Sequence, residues 1–321
     1  MPSTAALAPL PTGHPAVERV STEILELLLP HRRAGDPDTA APPGAFPVQL
    51  RQLAAFVAAG EPVAFTLPGF PCKSPNTRKV LGHLPDEGER LALGFLDRLC
   101  GRIAEVYSPG ARVLICSDGH VFGDLIRVPD EHIDAYSDEL TAMIAREGLG
   151  RLGTFDLRDV LGDLPYDDKR ALVHARFAPT LEELRAEVRS DEETAALYRG
   201  ITRFLVDDTA GFTGTRSALQ RECRRRAYGV IQRSRAWGTL IAEHHPRSVR
   251  LSIHPQPVGA GKFGIRLLDH RDVWATPWHT AVLHRADGGW ELMHRAEAEL
   301  IGTLVHRDGR PSHFEAAAAA G

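Results

Sequence analysis

The sequence contains little of what marks secreted, zinc-binding or membrane proteins. Its 321 residues include four cysteines, and none of them forms a CxxC pair. The sequence therefore indicates neither a disulfide framework nor a zinc site, and we expect a reducing, cytoplasmic environment. No apolar run approaches the length needed to cross a bilayer, and the N-terminus lacks the basic and apolar regions of a signal peptide. We expect a protein that stays inside the cell and off the membrane.

A strong charge of one sign is also missing. Lysine and arginine total 38 and aspartate and glutamate 42, which gives a formal net charge of −4. Anions must therefore be bound by local groups, since there is no global attraction to them. The arginines of the predicted helix 213–243 spread around it and form no stripe with aromatic residues, so we expect no nucleic-acid binding. Hydrophobic residues make up 43% of the chain, enough for a substantial core.

The chain divides into three parts by composition. Apolar spacing predicts a helix over 17–29, followed by a stretch rich in proline and alanine. We therefore expect an N-terminal helix and linker over 1–46, partly flexible, and a catalytic α/β domain over 47–310. The alanine-rich end, 311–321, is expected to be a flexible tail.

The catalytic part begins with a pattern typical of a parallel sheet. Short apolar runs at 62–67 and 111–116 predict buried strands, with a long amphipathic helix, 86–107, between them. Mainly helical segments follow, and the chain then turns β-rich from Ser248, with a hairpin at Asp287–Gly289. The predicted fold class is α/β: a Rossmann-like, mostly parallel sheet flanked by helices, with a β-rich C-terminal part.

Two motif matches lack the context that their function needs. Gly259–Gly264 fits GxGxxG, but a β-like run follows it, and a dinucleotide site requires a helix there. We interpret it as a glycine-rich turn. His132 and Asp134 have the spacing of an iron-binding triad, but they lie in a helical pattern where residues two apart point in different directions. We expect no metal and no cofactor.

The loop after the first strand carries groups suited to a phosphate. Lys73, Ser74, Asn76 and Lys79 offer point charges, a hydroxyl and an amide on a proline-stiffened loop. Binding residues concentrate on loops held by rigid scaffolds. The alternative is an ordinary basic surface loop.

Polar residues also follow two other predicted strands. Ser117-Asp118-Gly119-His120 comes after 111–116, where a carboxylate could hold a substrate ammonium or act as a base. The alternative for Asp118 is a turn-forming cap. His254, with Lys262 and Trp278-His279 nearby in the sequence, follows 248–253 and could move protons. A single histidine or tryptophan in such a pattern is more often part of the core.

Taken together, these stretches resemble the isocyanide synthases of the pyoverdine/dityrosine biosynthesis family. The resemblance covers most of 47–294 in the family's order, and the N-terminal extension lies outside it. Positions 72 and 120 depart from the family's usual small or apolar residue and arginine, so we expect Cys72 and His120 to tune substrate choice. The segments that carry the resemblance are FPCKSPN (70–76), KVLG (79–82), YSPGA (107–111), SDGHVF (117–122), QRSRAW (232–237), VRLSIHPQ (249–256), KFGI (262–265) and TPWH (276–279).

The resemblance implies an activity and its substrates. The α-amine of an amino acid, commonly tyrosine or tryptophan, becomes an isonitrile, and ribulose 5-phosphate supplies the carbon. No redox cofactor is implied, and the product would pass to an iron/2-oxoglutarate oxygenase. The long predicted helices offer a candidate surface for a homodimer. Other readings stay open: an enzyme forming N-formyl amino acids, a phosphosugar aldolase or isomerase, or a non-catalytic phosphometabolite sensor.

Resemblance and chemistry together suggest a role for each candidate residue. The expected catalytic residues are Lys73, Asp118, His254 and Lys262, with Asp118 orienting the amine and His254 and Lys262 moving protons. The expected substrate- and phosphate-binding residues are Ser74, Asn76, Lys79, Ser117, His120, Arg233, Trp278 and His279.

Overall fold

The structure is a computed structural model that describes residues 13–34, 41–209, 211–270 and 275–317. Among these residues, no helix is both long enough and apolar enough to cross a membrane.

The first sheet is parallel and has five strands in the order β3-β2-β1-β4-β5. The order reverses direction between β1 and β4, and doubly wound sheets bind ligands beyond the carboxyl ends of the strands at such a switch point. The strands are β1 (Val63–Pro68), β2 (Ala111–Cys116), β3 (Leu152–Phe155), β4 (Val249–Ser252) and β5 (Phe263–Gly264).

Eleven helices accompany the strands in the described parts of the chain. They are α1 (Pro15–Leu28), α2 (Pro47–Ala59), α3 (Glu87–Val106), α4 (Gly119–Ile126), α5 (Asp130–Arg146), α6 (Leu157–Leu161), α7 (Tyr166–Phe177), α8 (Leu181–Ser190), α9 (Glu192–Asp208), α10 (Arg216–His244) and α11 (Arg295–Ile301).

Strand alternation separates the core into two layers. Val113 and Ile115 face a large cluster formed with α1, α2, α3 and α5. Leu114 and Cys116 point to the opposite face of the sheet, where Trp237 and its neighbours on α10 pack. The parallel sheet is therefore covered by helices on both faces, as parallel sheets generally are.

A second, mixed sheet forms most of the C-terminal part. Its strand order is β6-β8-β7-β10-β9, and the predicted hairpin is confirmed as the antiparallel pair β7–β8. The strands are β6 (Asp269–His270), β7 (Ala281–His284), β8 (Trp290–Met293), β9 (Gly302–Arg307) and β10 (Arg310–Ala316).

The predicted α/β class, with a mostly parallel sheet flanked by helices and a β-rich C-terminal part, is confirmed. The prediction of a flexible tail from 311 is wrong for 311–316, because β10 pairs with both β7 and β9 and buries Phe314. Residues 318–321 lie outside the described residues. The N-terminal helix α1 is not separate from the rest, since Ile24 and Leu28 belong to the large core cluster. The chain after Ser248 is β-rich as predicted, but β5 has only two residues, and the short β3 was not predicted.

Candidate active site

The carboxyl ends of β1, β2 and β4 bring the candidate residues to one edge of the parallel sheet. β1 leads into the loop that carries Lys73 and Lys79, β2 leads to Asp118, and β4 leads to His254. β1 and β4 are neighbours at the switch point, and β2 lies on the other side of β1. This is the position at which a doubly wound sheet binds its ligand.

Lys73 is part of a buried ionic cluster. Its ammonium lies 2.8 Å from Asp86 Oδ2 and 2.7 Å from Glu89 Oε2, and it donates to the carbonyl oxygen of Pro277 at 3.0 Å. Burial opposes the charge on Lys73, but the two carboxylates outweigh it and raise the pKa of Lys73. All three ammonium hydrogens therefore have acceptors within the protein. Lys73 is therefore held by internal contacts, and its expected role in binding phosphate stays a prediction.

The cluster contains two carboxyl groups, those of Asp86 and Glu89, but only the one ammonium of Lys73 contacts them. Burial raises the pKa of Asp86, with Lys73 opposing the shift and Glu89 adding to it. Two carboxylates around one buried ammonium repel each other, and this repulsion favours the protonated form of Asp86. Tyr136 donates to Glu89 at 3.1 Å and closes the cluster.

Lys79 is also paired within the protein. Its ammonium contacts the carboxylate of Asp208, the last residue of α9, and lies 5.7 Å from the centre of the Phe204 ring. Asn76 holds the same helix end by donating to the carbonyl oxygen of Asp207 at 2.8 Å. Ser74 accepts from the backbone N–H of Asn76 at 3.1 Å and so shapes the loop. The loop is therefore fastened to α9 and does not stand open as a basic surface loop.

Asp118 has the surroundings of a reactive carboxyl group. Its Oδ1 is buried and has no hydrogen-bond partner in the described parts of the chain. Burial raises the pKa of Asp118 to about 7, against a small opposing effect of its own backbone N–H. The group can therefore change its charge near neutral pH and has an acceptor atom available for a donor such as an ammonium.

Two histidines face the same region in their neutral form. Burial lowers the pKa of His254 to about 4, with Arg33, His279 and Lys262 adding to the shift. Burial likewise lowers the pKa of His279 to about 4, although Asp208 opposes it. His254 nevertheless keeps accessible surface. A neutral imidazole that keeps accessible surface can take up and pass on protons.

Mutual electrostatic effects connect these groups into one neighbourhood. Asp118 and Asp208 both help burial to raise the pKa of the Cys72 thiol. The charges of Lys73 and Lys79 reach His279, and His279 in turn affects His254. The structure thus brings together residues from five segments of the chain.

Four candidate residues are engaged elsewhere. Ser117 donates to the Phe70 carbonyl oxygen at 2.8 Å, which ties β2 to the loop after β1. The His120 ring stacks on Tyr166 with ring centres 3.7 Å apart. Its nearest carboxylate is Asp134 of α5, at 3.2 Å.

Arg233 and Trp278 have structural contacts of the same kind. Arg233 of α10 forms a two-pronged ion pair with Asp124 of α4, and its expected place in a phosphate clamp stays a prediction. Trp278 is buried against Phe70 at 4.9 Å between ring centres and forms a wall of the region.

Several residues of this region were not identified from the sequence. Asp86 and Glu89 form a capping box at the start of α3, and the sequence signal for that box was available. Asp208 had no such signal, since it reaches Lys79 from 129 residues away. Arg33, in the N-terminal segment, is buried and donates to the carbonyl oxygens of Ile253 and Ala275 at 2.6 and 2.8 Å. No group of three or more metal-ligating side chains occurs within the described residues.

Comparisons with known proteins agree with this picture. The family model for pyoverdine/dityrosine biosynthesis proteins matches residues 53–304. An L-tyrosine isonitrile synthase from Pseudomonas aeruginosa is 50% identical over 274 residues, which cover 83% of each chain. A second L-tyrosine isonitrile synthase, from Xenorhabdus nematophila, is 44% identical and covers 93% of this chain and 92% of that one.

Other relatives extend the comparison to a different amino acid and to a solved structure. The L-tryptophan isonitrile synthase AmbI2 from Fischerella ambigua is 43% identical, over 83% of this chain and 81% of its own. The crystal structure of the PvcA protein from Pseudomonas aeruginosa matches with a TM-score of 0.86 and 45% identity, over 92% of this chain and 99% of that chain. The chain therefore belongs to the pyoverdine/dityrosine biosynthesis protein family and is an enzyme of the isonitrile synthase kind.

Proposed function

We propose that this enzyme converts the α-amine of tyrosine or tryptophan into an isonitrile, with ribulose 5-phosphate as the carbon donor. The observation that carries the amino-acid half of the proposal is the 50% identity to an L-tyrosine isonitrile synthase. The tryptophan enzyme at 43% identity keeps the second amino acid open. The phosphosugar half rests on the chemistry of the candidate site and on the resemblance that the sequence carries.

Asp118 is suited to receive the substrate amine. Its Oδ1 is free of hydrogen bonds in the described chain, and its pKa of about 7 lets it accept a proton from an ammonium group. An amine must lose its proton before it can attack a ketone, so a carboxylate that titrates near pH 7 is an effective base for this step. We assign Asp118 to orient and deprotonate the amine.

The neutral histidines are suited to the steps that follow. The deprotonated amine would add to the sugar ketone, and the resulting carbinolamine would lose water to form an imine. Proton transfers along the sugar would then precede cleavage of both C–C bonds to the former ketone carbon, which stays on nitrogen. His254 stays neutral because its pKa lies at about 4, so it can accept a proton from one atom and return it to another. Lys262, whose pKa is lowered by burial and by Arg250, can share this role.

The location of the enzyme, its assembly and its partners belong to the same proposal. We propose a cytoplasmic enzyme whose isonitrile product passes to an iron/2-oxoglutarate oxygenase, and a homodimer is a possible assembly. The amino acid and ribulose 5-phosphate are the proposed partners, with neither nucleic acid nor membrane involved.

Incubation with labelled substrates tests the proposal directly. The enzyme would be mixed with tyrosine or tryptophan and with ribulose 5-phosphate carrying ¹³C, and the products analysed by mass spectrometry. We expect an isonitrile with one ¹³C atom. A labelled N-formyl amino acid, turnover of the sugar without the amino acid, or binding with no product would each replace this function with one of the alternatives. A matched Asp118→Asn reaction should give far less product.

A further inference from the structure

The four lysines of the chain differ in the groups that compensate their charge. The sequence has four lysines against 34 arginines, so each lysine stands out in a chain that otherwise uses arginine. Lys73 and Lys79 are matched by carboxylates, and Lys169 lies 4.7 Å from the centre of the Tyr166 ring. Lys262 has no ion pair with a carboxylate among the described residues.

The strand register places Lys262 beside a second cation of this kind. In the parallel pair β4–β5, Leu251 is opposite Phe263 and Ser252 is opposite Gly264. The residues one position earlier, Arg250 and Lys262, are therefore cross-strand neighbours, and alternation puts them on the same face of the sheet. Arg250 likewise lacks a carboxylate partner within the described chain.

The face that these two residues share is the one covered by α10. Arg250 donates from Nη2 to the carbonyl oxygen of Gly238 on α10 at 3.3 Å. The absence of a side chain at Gly238 leaves room there, since an added Cβ would lie 3.2 Å from Arg250 Nη2. The same face carries Cys116 and leads to Asp118 on β2, and the charges of Arg250 and Lys262 reach Cys116 and His254 respectively.

Two adjacent, partly buried cations without an anion repel each other. Burial lowers the pKa of Arg250, and burial together with Arg250 lowers the pKa of Lys262. Such an arrangement destabilises the empty site and is relieved when a dianion binds, because the anion supplies the missing compensation. A guanidinium fork and a compact ammonium are the usual protein ligands of a phosphate group.

From this geometry we propose that Arg250 and Lys262 form the phosphate-binding site of the enzyme and hold a phosphate monoester against the α10-facing side of β4 and β5. The inference rests on the proposed function for the identity of the ligand, a phosphorylated sugar. It replaces the expected clamp of Lys73, Lys79 and Arg233, whose charges are already matched by acidic side chains, and it moves Lys262 from the proton-transfer role to phosphate binding, which leaves proton transfer to His254. Ribose-type carbons attached to the phosphate would then extend toward His254 and Asp118.

Binding measurements with single variants test the site. Inorganic phosphate and ribulose 5-phosphate would be titrated into the wild-type protein and into Arg250→Gln and Lys262→Gln by calorimetry. We expect each substitution to weaken both ligands at least tenfold and to leave tyrosine binding unchanged. Arg250→Lys should recover part of the affinity. The matched control is Arg247→Gln, an exposed arginine that pairs with Glu61 on the surface.

The outcomes separate this inference from the proposed function. The site would be overturned if Arg250→Gln and Lys262→Gln both bound inorganic phosphate with wild-type affinity. It would also be overturned if Lys79→Gln lost this affinity and those two variants kept it. A phosphate site that depends on Arg250 and Lys262 in an enzyme that makes no isonitrile would uphold the site and defeat the function. If Arg250→Gln does not fold, Lys262→Gln and Arg250→Lys decide the question.

Discussion

The ammonium of Lys73 lies 2.7 Å from Oε2 of Glu89, and neither side chain has accessible surface. This ion pair joins the loop after β1 to the first turn of α3, where Asp86 and Glu89 form a capping box. Lys73 therefore holds the loop after β1 against α3 and in this way shapes the site. A residue expected to grip the substrate is thus one that holds the loop in place.

Removal of this lysine should cost stability before it affects chemistry. We expect Lys73→Met to lower the free energy of unfolding by about 3–5 kcal/mol, because two buried carboxylates lose their counter-charge. Urea denaturation followed by circular dichroism measures the change. Arg19→Met, which removes an exposed i,i+4 pair with Glu23, is the control and should cost less than about 1 kcal/mol. Unchanged stability combined with lost turnover would return Lys73 to a direct catalytic role.

The pH dependence of activity should follow Asp118. Its pKa of about 7 lies above the usual range, so the carboxyl is protonated below pH 7 and ionised above it. Since the ionised form accepts the proton of the amine, kcat/KM should fall as the pH drops through about 7. The two histidines, with pKa values of about 4, stay neutral across this window.

Variants identify the group responsible for that acidic limb. Asp118→Asn should lower kcat/KM and remove the limb near pH 7, whereas His254→Gln should lower the rate and keep the limb. A profile of Asp118→Asn that still bends near pH 7 would assign the titration to another group. The same measurement on the wild-type protein supplies the reference.

A close backbone contact positions Asp118. A Cβ on Gly119 would lie 2.1 Å from the Pro71 carbonyl oxygen and 2.7 Å from Cγ2 of Ile133. Gly119→Ala must therefore push the start of α4 away from the loop after β1, at a cost of roughly 1–3 kcal/mol for overpacking. We expect a lower melting temperature and a reduced kcat. Gly200→Ala on α9, where an added Cβ meets nothing within 4 Å, should not be destabilising.

Much of the site's location could be predicted from the sequence, because its supports are local. Apolar runs between turn residues identified β1, β2 and β4, and the polar residues that follow them had to meet at one edge of a parallel sheet. His120 lies in the first turn of α4 and contacts Asp134 of α5, whereas Asp118 is the N-cap of the same helix, so the two side chains have different surroundings. The partners of Lys73, Lys79 and Arg233 could not be predicted. An ion pair between segments that are separated in the sequence produces no periodic pattern from which the partners could be identified.

The N-terminal segment offers the last test, since Arg33 lies outside the stretch that the family model matches, 53–304. Arg33 donates hydrogen bonds to the carbonyl oxygens of Ile253 and Ala275. These two residues lie before and after the glycine-rich turn Gly259–Gly264 in the sequence. Gly264 allows this approach, because a Cβ there would lie 2.5 Å from the Arg33 carbonyl oxygen. Arg33 therefore holds the backbone next to His254.

We expect Arg33→Met to reduce both stability and activity. Hydrogen bonds to charged groups contribute roughly 1.5–3 kcal/mol each, so the loss of the bonds to Ile253 and Ala275 should be evident in urea denaturation. Arg33 also helps to lower the pKa of His254, and its removal should raise that pKa from about 4 toward the ordinary value. An NMR titration of the His254 ring, with exposed Arg51→Met as the control, measures this shift. A variant with wild-type turnover and an unchanged His254 titration would mean that the N-terminal segment has no part in the site.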